Sequence, residues 1–140
     1  GVFNLELARL YYYLFQKTNQ KFTILYGLDG YDEISLTGAT KVLRNNCEQI
    51  ITPSDFGVNQ VTADEIMGGE NVNSSTEIFM NILQNKGTEA QKNVVCANSG
   101  MAISTALQLS PIEGFEKAKE SLLNGKALNA LTNLQKLSSE

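Results

Sequence analysis

The chain has 140 residues, with 11 Lys and Arg against 15 Asp and Glu and a formal net charge of −4; its cations form no stripe, which argues against nucleic-acid binding. It contains no histidine and no C-x-x-C, and its two cysteines, Cys47 and Cys96, stand far apart. Ser-His-Asp and Cys-His catalysis and histidine-ligated zinc are therefore excluded within it, and the cysteines suit a reducing cytoplasm. No apolar run reaches the length of a membrane span, residues 1–10 lack the layout of a signal peptide, and 140 residues make one domain at most. Chemistry in this chain falls to carboxylates, lysines, hydroxyls, backbone groups or a bound cation.

Asn4 is the expected N-cap of a first helix, with Glu6 favoured in its first turn by the helix dipole. Leu7, Leu10, Tyr11, Leu14 and Phe15 fall at helical spacing and predict a buried stripe ending near Asn19. Tyr11, Tyr12 and Tyr13 point in different directions on such a helix, which favours core and rim packing over a stacking platform. Residues 21–26, K-F-T-I-L-Y, read as a buried strand.

Residues 26–38, Y-G-L-D-G-Y-D-E-I-S-L-T-G, then bring Asp29, Asp32 and Glu33 together around Gly30. An acidic loop at the end of a buried strand is a common ligand site in α/β proteins. One or two hard carboxylates, completed by phosphates and water, are also what magnesium prefers. Asp32 and Glu33 are neighbours, so both can reach one ligand only from irregular backbone, because adjacent strand side chains face opposite ways. A solvated D-G turn between strands uses the same residues, and by themselves they leave both readings open.

Beyond the loop, Ile34 and Leu36 alternate with Ser35 and Thr37 and predict a strand at 34–37. Gly38 and Ala39 form the turn and 40–44 the returning strand. Asn45 and Asn46 suit a second turn, 48–52 a third strand, and Thr52, Pro53, Ser54 and Asp55 close this meander. Residues 55–60 read as loop, 62–66 as a short helical turn, and Gly68, Gly69, Glu70 and Asn71 as a turn needing positive φ. A phosphate cradle at that turn is disfavoured, since no lysine follows and Glu70 repels anions.

The remainder is helical. Ser74 and Glu77 form an expected capping box for a helix with Ile78, Ile82 and Leu83 buried, and Gly87 ends it after Asn85. Thr88 and Gln91 form a second box, opening a helix to Leu109 whose apolar residues nearly surround its axis, as in a helix packed on a sheet. Cys96 within it is read as a core residue rather than a reactive thiol. Ser110, Pro111 and Glu113 start the next helix, which Asn124 and Gly125 stop. Residues 126–137 form the last, with Ala127, Leu128, Ala130, Leu131 and Leu134 expected inward.

Residues 27–38 closely resemble the acidic motif of the anthranilate phosphoribosyltransferase family, in the phosphoribosyltransferase and pyrimidine phosphorylase superfamily. The opening G-V-F-N-L-E-L-A-R-L, G-G-E-N at 68–71 and K-N-V-V-C-A-N at 92–98 resemble the same family in the same order. The family's chains are considerably longer. The resemblance implies that residues 1–140 are the C-terminal part of a glycosyltransferase-type α/β domain on a large mixed sheet, with a small antiparallel meander and a helical C-terminal half. It implies transfer of a phosphoribosyl group from 5-phosphoribosyl-1-pyrophosphate to anthranilate with release of pyrophosphate, in tryptophan biosynthesis. The family's D-E pair holds Mg2+, and it matches Asp32 and Glu33. Asp29 is expected to serve the turn, and Gly27 and Gly30 to permit its backbone; Tyr26 replaces the family's usual histidine.

The family's pyrophosphate loop, its Lys- and Asn-bearing phosphate segment, its anthranilate-contacting arginine region and most of its dimer-forming helical domain lie upstream of the matched part. The resemblance therefore implies a cytoplasmic, homodimeric parent enzyme and an inactive isolated 140-residue chain, prone to self-association. No catalytic or cofactor-binding residue is assigned beyond the metal pair, and the substrate-binding residues stay open. The alternatives are a pyrimidine nucleoside phosphorylase fragment and a non-catalytic interaction module on the same fold; D-G-Y-D-E-I-S favours the first reading over the phosphorylase.

Overall fold

The first helix starts where Asn4 Oδ1 accepts the Leu7 amide at 2.7 Å. In the computed structural model, which describes residues 1–45 and 47–138, it is α1 (Leu5–Phe15). It stops short of Asn19, because the Thr18 hydroxyl donates to the Phe15 carbonyl at 2.7 Å and takes over the helix end. Three strands follow: β1 (Thr23–Gly27), β2 (Thr40–Arg44) and β3 (Cys47–Ile51). They form an antiparallel sheet in the order β1-β2-β3, with Leu25 opposite Val42 and Val42 opposite Gln49. Short 3-10 turns at Pro53–Phe56 and Asp64–Ile66 lead to α2 (Val72–Leu83), α3 (Glu89–Leu107), α4 (Pro111–Leu123) and α5 (Lys126–Leu137).

Alternation along the strands divides the core into two layers. Ile24, Tyr26 and Leu43 pack with Val2, Ala8, Phe22 and Phe15 beneath α1. Leu25, Val42 and Ile51 face the other way, into a cluster with Phe56, Ala97, Met101, Phe115 and Leu122. The class is α/β, with helices on both faces of the sheet.

The meander differs from the expected one. Residues 34–37 form no strand; β1 itself is the partner of β2, and the whole stretch from Leu28 to Ala39 is a loop between them. Ile34, Ser35 and Leu36 are each 1% exposed in succession, which a strand with one solvated face does not allow. Leu36 has φ 61°, outside the strand region. Asn45 lies in the turn after β2, and Asn46 lies outside the described residues.

Three helical expectations and one turn also change. The α1 face that packs carries Leu7, Ala8, Tyr12 and Phe15, while Leu10 and Leu14 are 54% and 57% exposed. Asn71, not Ser74, caps α2: its side chain accepts the Ser74 amide at 3.0 Å while Ser74 Oγ accepts the Asn71 amide at 3.1 Å. Gly68 and Gly69 adopt no positive φ. A side chain at Gly69 would instead collide with Ser74 and Ser75 at the start of α2. The fourth change is at α5, which has no fully buried residue, and Leu134 there is 63% exposed.

The capping boxes at Thr88 and Ser110 form as expected. Cys96 is buried, and that burial pushes its thiol pKa up. Its helix, α3, packs chiefly on α4 and only secondarily on β1. Gly100 and Gly114 make that crossing close, since a Cβ on Gly100 would stand 2.6 Å from Phe115 Cα and one on Gly114 would meet the Gly100 carbonyl.

Candidate functional site

The acidic loop leaves the sheet at the end of β1. Its neck is closed by the Leu28 amide on the Ala39 carbonyl at 2.9 Å, and its tip by Gly27 N–H on the Tyr31 carbonyl at 2.8 Å. Gly30, at φ 100°, makes the reversal. Asp29 does more than serve the turn. Its Oδ2 accepts the Ser35 hydroxyl at 3.1 Å and the Thr37 hydroxyl as well. Gly27 and Gly38 leave room for that carboxylate, because a Cβ on either would approach it to 2.8 or 2.9 Å.

The other arm of the loop is fixed by Asn98 on α3. Asn98 Oδ1 accepts the Ile34 amide at 3.0 Å, and Nδ2 donates to the Ile34 carbonyl at 2.8 Å and the Val94 carbonyl at 3.0 Å. The Val61 amide takes the Leu36 carbonyl at 3.0 Å. The arm at residues 34–36 is buried, and buried backbone off a strand is stable only when its polar groups are accounted for in this way.

Asp32 and Glu33 stand on the irregular backbone between these anchors, both exposed. Among the described residues neither carboxylate has a hydrogen-bond or ion-pair partner, and no third His, Cys, Asp or Glu joins them in a metal-sized cluster. Their donor chemistry fits a magnesium ion that takes one or two carboxylates and completes its shell with water and phosphate. A calcium ion, needing six to eight oxygens, would find too few here. The Gly1 backbone lies against the Asp32 carbonyl, where a Cβ would collide with it.

Two cavities of about 520 and 550 Å3 lie elsewhere. One is lined by Lys21, Arg44 and Ser104, the other by Phe22, Met101 and Thr105; neither includes Asp32 or Glu33. Arg44 is already engaged, donating to Thr23 Oγ1 at 3.2 Å and Ser104 Oγ at 2.8 Å. These contacts tie the sheet to α3.

Sequence reasoning passed over Asn98 and the organising role of Asp29. The available signal was an amide at 98 inside the apolar run 94–107, since a polar side chain set among apolar ones needs partners.

A model of the glycosyl transferase family's a/b domain matches residues 1–128. The chain belongs to this family. Among curated glycosyl transferase relatives, the anthranilate phosphoribosyltransferase of Flavobacterium johnsoniae is 60% identical over 138 residues, covering 99% of this chain and 42% of that protein. The enzyme of the same name from Flavobacterium psychrophilum is 59% identical over the same span. The chain thus spans about 42% of the length of the curated relatives it matches. Its fold is also that of anthranilate phosphoribosyltransferase from Saccharomyces cerevisiae in complex with PRPP and Mg, at TM-score 0.87 and 23% identity, over 100% of this chain and 42% of that one. The Thermus thermophilus enzyme aligns at TM-score 0.85 and 21% identity over 95% of this chain and 40% of its own.

Proposed function

We propose that the protein containing this chain is an anthranilate phosphoribosyltransferase, and that this chain supplies the C-terminal part of its α/β domain. The reaction is displacement of pyrophosphate from 5-phosphoribosyl-1-pyrophosphate by the anthranilate amine. The observation that carries the reading is 60% identity over 138 residues, acidic loop included, to a protein of that name. Each relative and structure named above bears the same name, which favours this reading over a pyrimidine nucleoside phosphorylase or a non-catalytic module.

In this reading Asp32 and Glu33 hold the metal, and the yeast enzyme's complex with PRPP and Mg supports magnesium as its identity. When bound, magnesium supplies positive charge to a leaving pyrophosphate without a proton donor, which suits a chain with no histidine. Asp29, through Ser35 and Thr37, keeps the loop folded back on itself so that the two carboxylates project from its rim. They carry no competing cation in the described residues, so their charge is available to a ligand. The parent is read as a cytoplasmic homodimer; among the described residues no helix is long and apolar enough to cross a membrane. The isolated chain self-associates through exposed apolar positions such as Phe3, Leu10 and Leu14.

The test is magnesium-dependent loss of anthranilate fluorescence with the full-length parent protein, wild type against Asp32→Ala and Glu33→Ala. Turnover should fall by more than about 100-fold in each, beyond the usual effect of outer-shell partners. No wild-type turnover rejects the activity, and full turnover in both variants rejects the metal assignment.

A further inference from the structure

Ile34 is the residue directly after the carboxylate pair, and it is held from two sides by one helix. Its side chain, 1% exposed, packs in the cluster that includes Ala97 and Met101 of α3. Its amide and carbonyl are both taken by the Asn98 side chain, at 3.0 and 2.8 Å. In a sheet those groups would belong to a neighbouring strand; here one side-chain amide replaces the ladder, because Ile34 lies on no strand. The Val94 carbonyl, 3.0 Å from Nδ2, fixes the amide's orientation from within α3. The carboxylates of Asp32 and Glu33 have no partner of their own among the described residues, so their placement is inherited from this backbone.

We infer that Asn98 is a positioning residue for the metal pair: it carries the rigidity of α3 into the Glu33–Ile34 peptide, so that both carboxylates reach one cation. The inference rests on the reading of Asp32 and Glu33 as magnesium ligands. Only a side chain with a donor and an acceptor at one end does this. Leu fills a similar volume with neither, and Asp keeps the acceptor but sets an oxygen against the Ile34 carbonyl.

The test uses the full-length protein saturated with phosphoribosyl pyrophosphate, and Mn2+ affinity read by electron paramagnetic resonance. Asn98→Leu and Asn98→Asp are expected to weaken Mn2+ by about 10–100-fold, the range for residues that orient metal ligands, with the KM for anthranilate unchanged. A purely structural role would lower the melting temperature and leave Mn2+ affinity in the folded protein as it was, which overturns the inference. Asp32→Ala and Glu33→Ala run alongside. If they bind Mn2+ as the wild type does, the metal reading fails and takes this inference with it. If they weaken it while the folded Asn98 variants do not, only the role of Asn98 is lost. Should neither Asn98 variant fold, amide exchange in the wild type decides. An Ile34 amide as slow as the α3 core amides upholds the clamp, and one as fast as an exposed loop amide overturns it.

Discussion

Asp29 spends its charge inside the loop, while Asp32 and Glu33, three and four residues on, keep theirs for solvent or a ligand. The division follows from where hydroxyls fall: Ser35 and Thr37 both donate to Asp29. Ser35 is 1% exposed, so Asp29→Ala removes the carboxylate acceptor from a buried hydroxyl and leaves it only the Thr37 hydroxyl, 2.8 Å away. That should cost about 1–3 kcal/mol in urea unfolding of the full-length protein; an unchanged midpoint would contradict the account. The same residues explain why the sequence predicts a strand at 34–37 where the structure has a loop. Ile-Ser-Leu-Thr alternates as a half-buried strand does, and the pattern is identical whether its hydroxyls face water or a carboxylate. Only the third dimension reveals that Asp29 and Asn98 supply the partners a strand would otherwise give.

Elements with local signals were legible. Ser110 with Glu113 and Thr88 with Gln91 form their reciprocal boxes as the sequence pattern demands. Glu113 is held below its ordinary pKa of 4.5 by hydrogen bonds from the Ser110 hydroxyl and amide. Because the folded value is depressed, the carboxylate form stabilises the cap above pH 4.5, and this is lost as pH falls through the folded value. The stability gap between wild type and Glu113→Gln should therefore be largest at neutral pH and close on acidification, as followed by thermal melts. Helix packing was less legible, because it depends on the partner surface. The α1 sequence offers apolar residues on more than one face, and the choice of the Ala8 and Tyr12 side is made by Phe22 across the interface, 6.0 Å from Tyr12 between ring centroids. At the α3–α4 crossing two effects compete for Gly100→Ala. Helix propensity gains up to about 1 kcal/mol, but the new methyl lies 2.6 Å from backbone that cannot step aside. The clash wins, with a net loss of about 1–3 kcal/mol expected in chemical denaturation; a stabilised variant would show that α4 can move.

At the scale of the whole molecule, the acidic loop stands at the end of β1, exposed and with no Lys or Arg paired to its carboxylates in the described residues. A magnesium–pyrophosphate site needs more than two carboxylates, and phosphate binding normally recruits cations or backbone amides. Residues 1–140 purified alone should therefore show no turnover of anthranilate, while the full-length protein does; activity in the short chain would contradict this division of labour. The α/β class followed from the family resemblance, and the order of the helices was readable because hydrophobic period and helix stops are local. The pairing of β1 with β2 across the loop was not, since the intervening residues mimic a strand of their own. The most direct measurement is anomalous diffraction from crystals of the full-length protein grown with Mn2+ and phosphoribosyl pyrophosphate. The account predicts a metal peak about 2.0–2.2 Å from carboxylate oxygens of Asp32 and Glu33, close to the short bonds of an octahedral divalent ion. A well-occupied metal bound to the substrate but away from both side chains would contradict it.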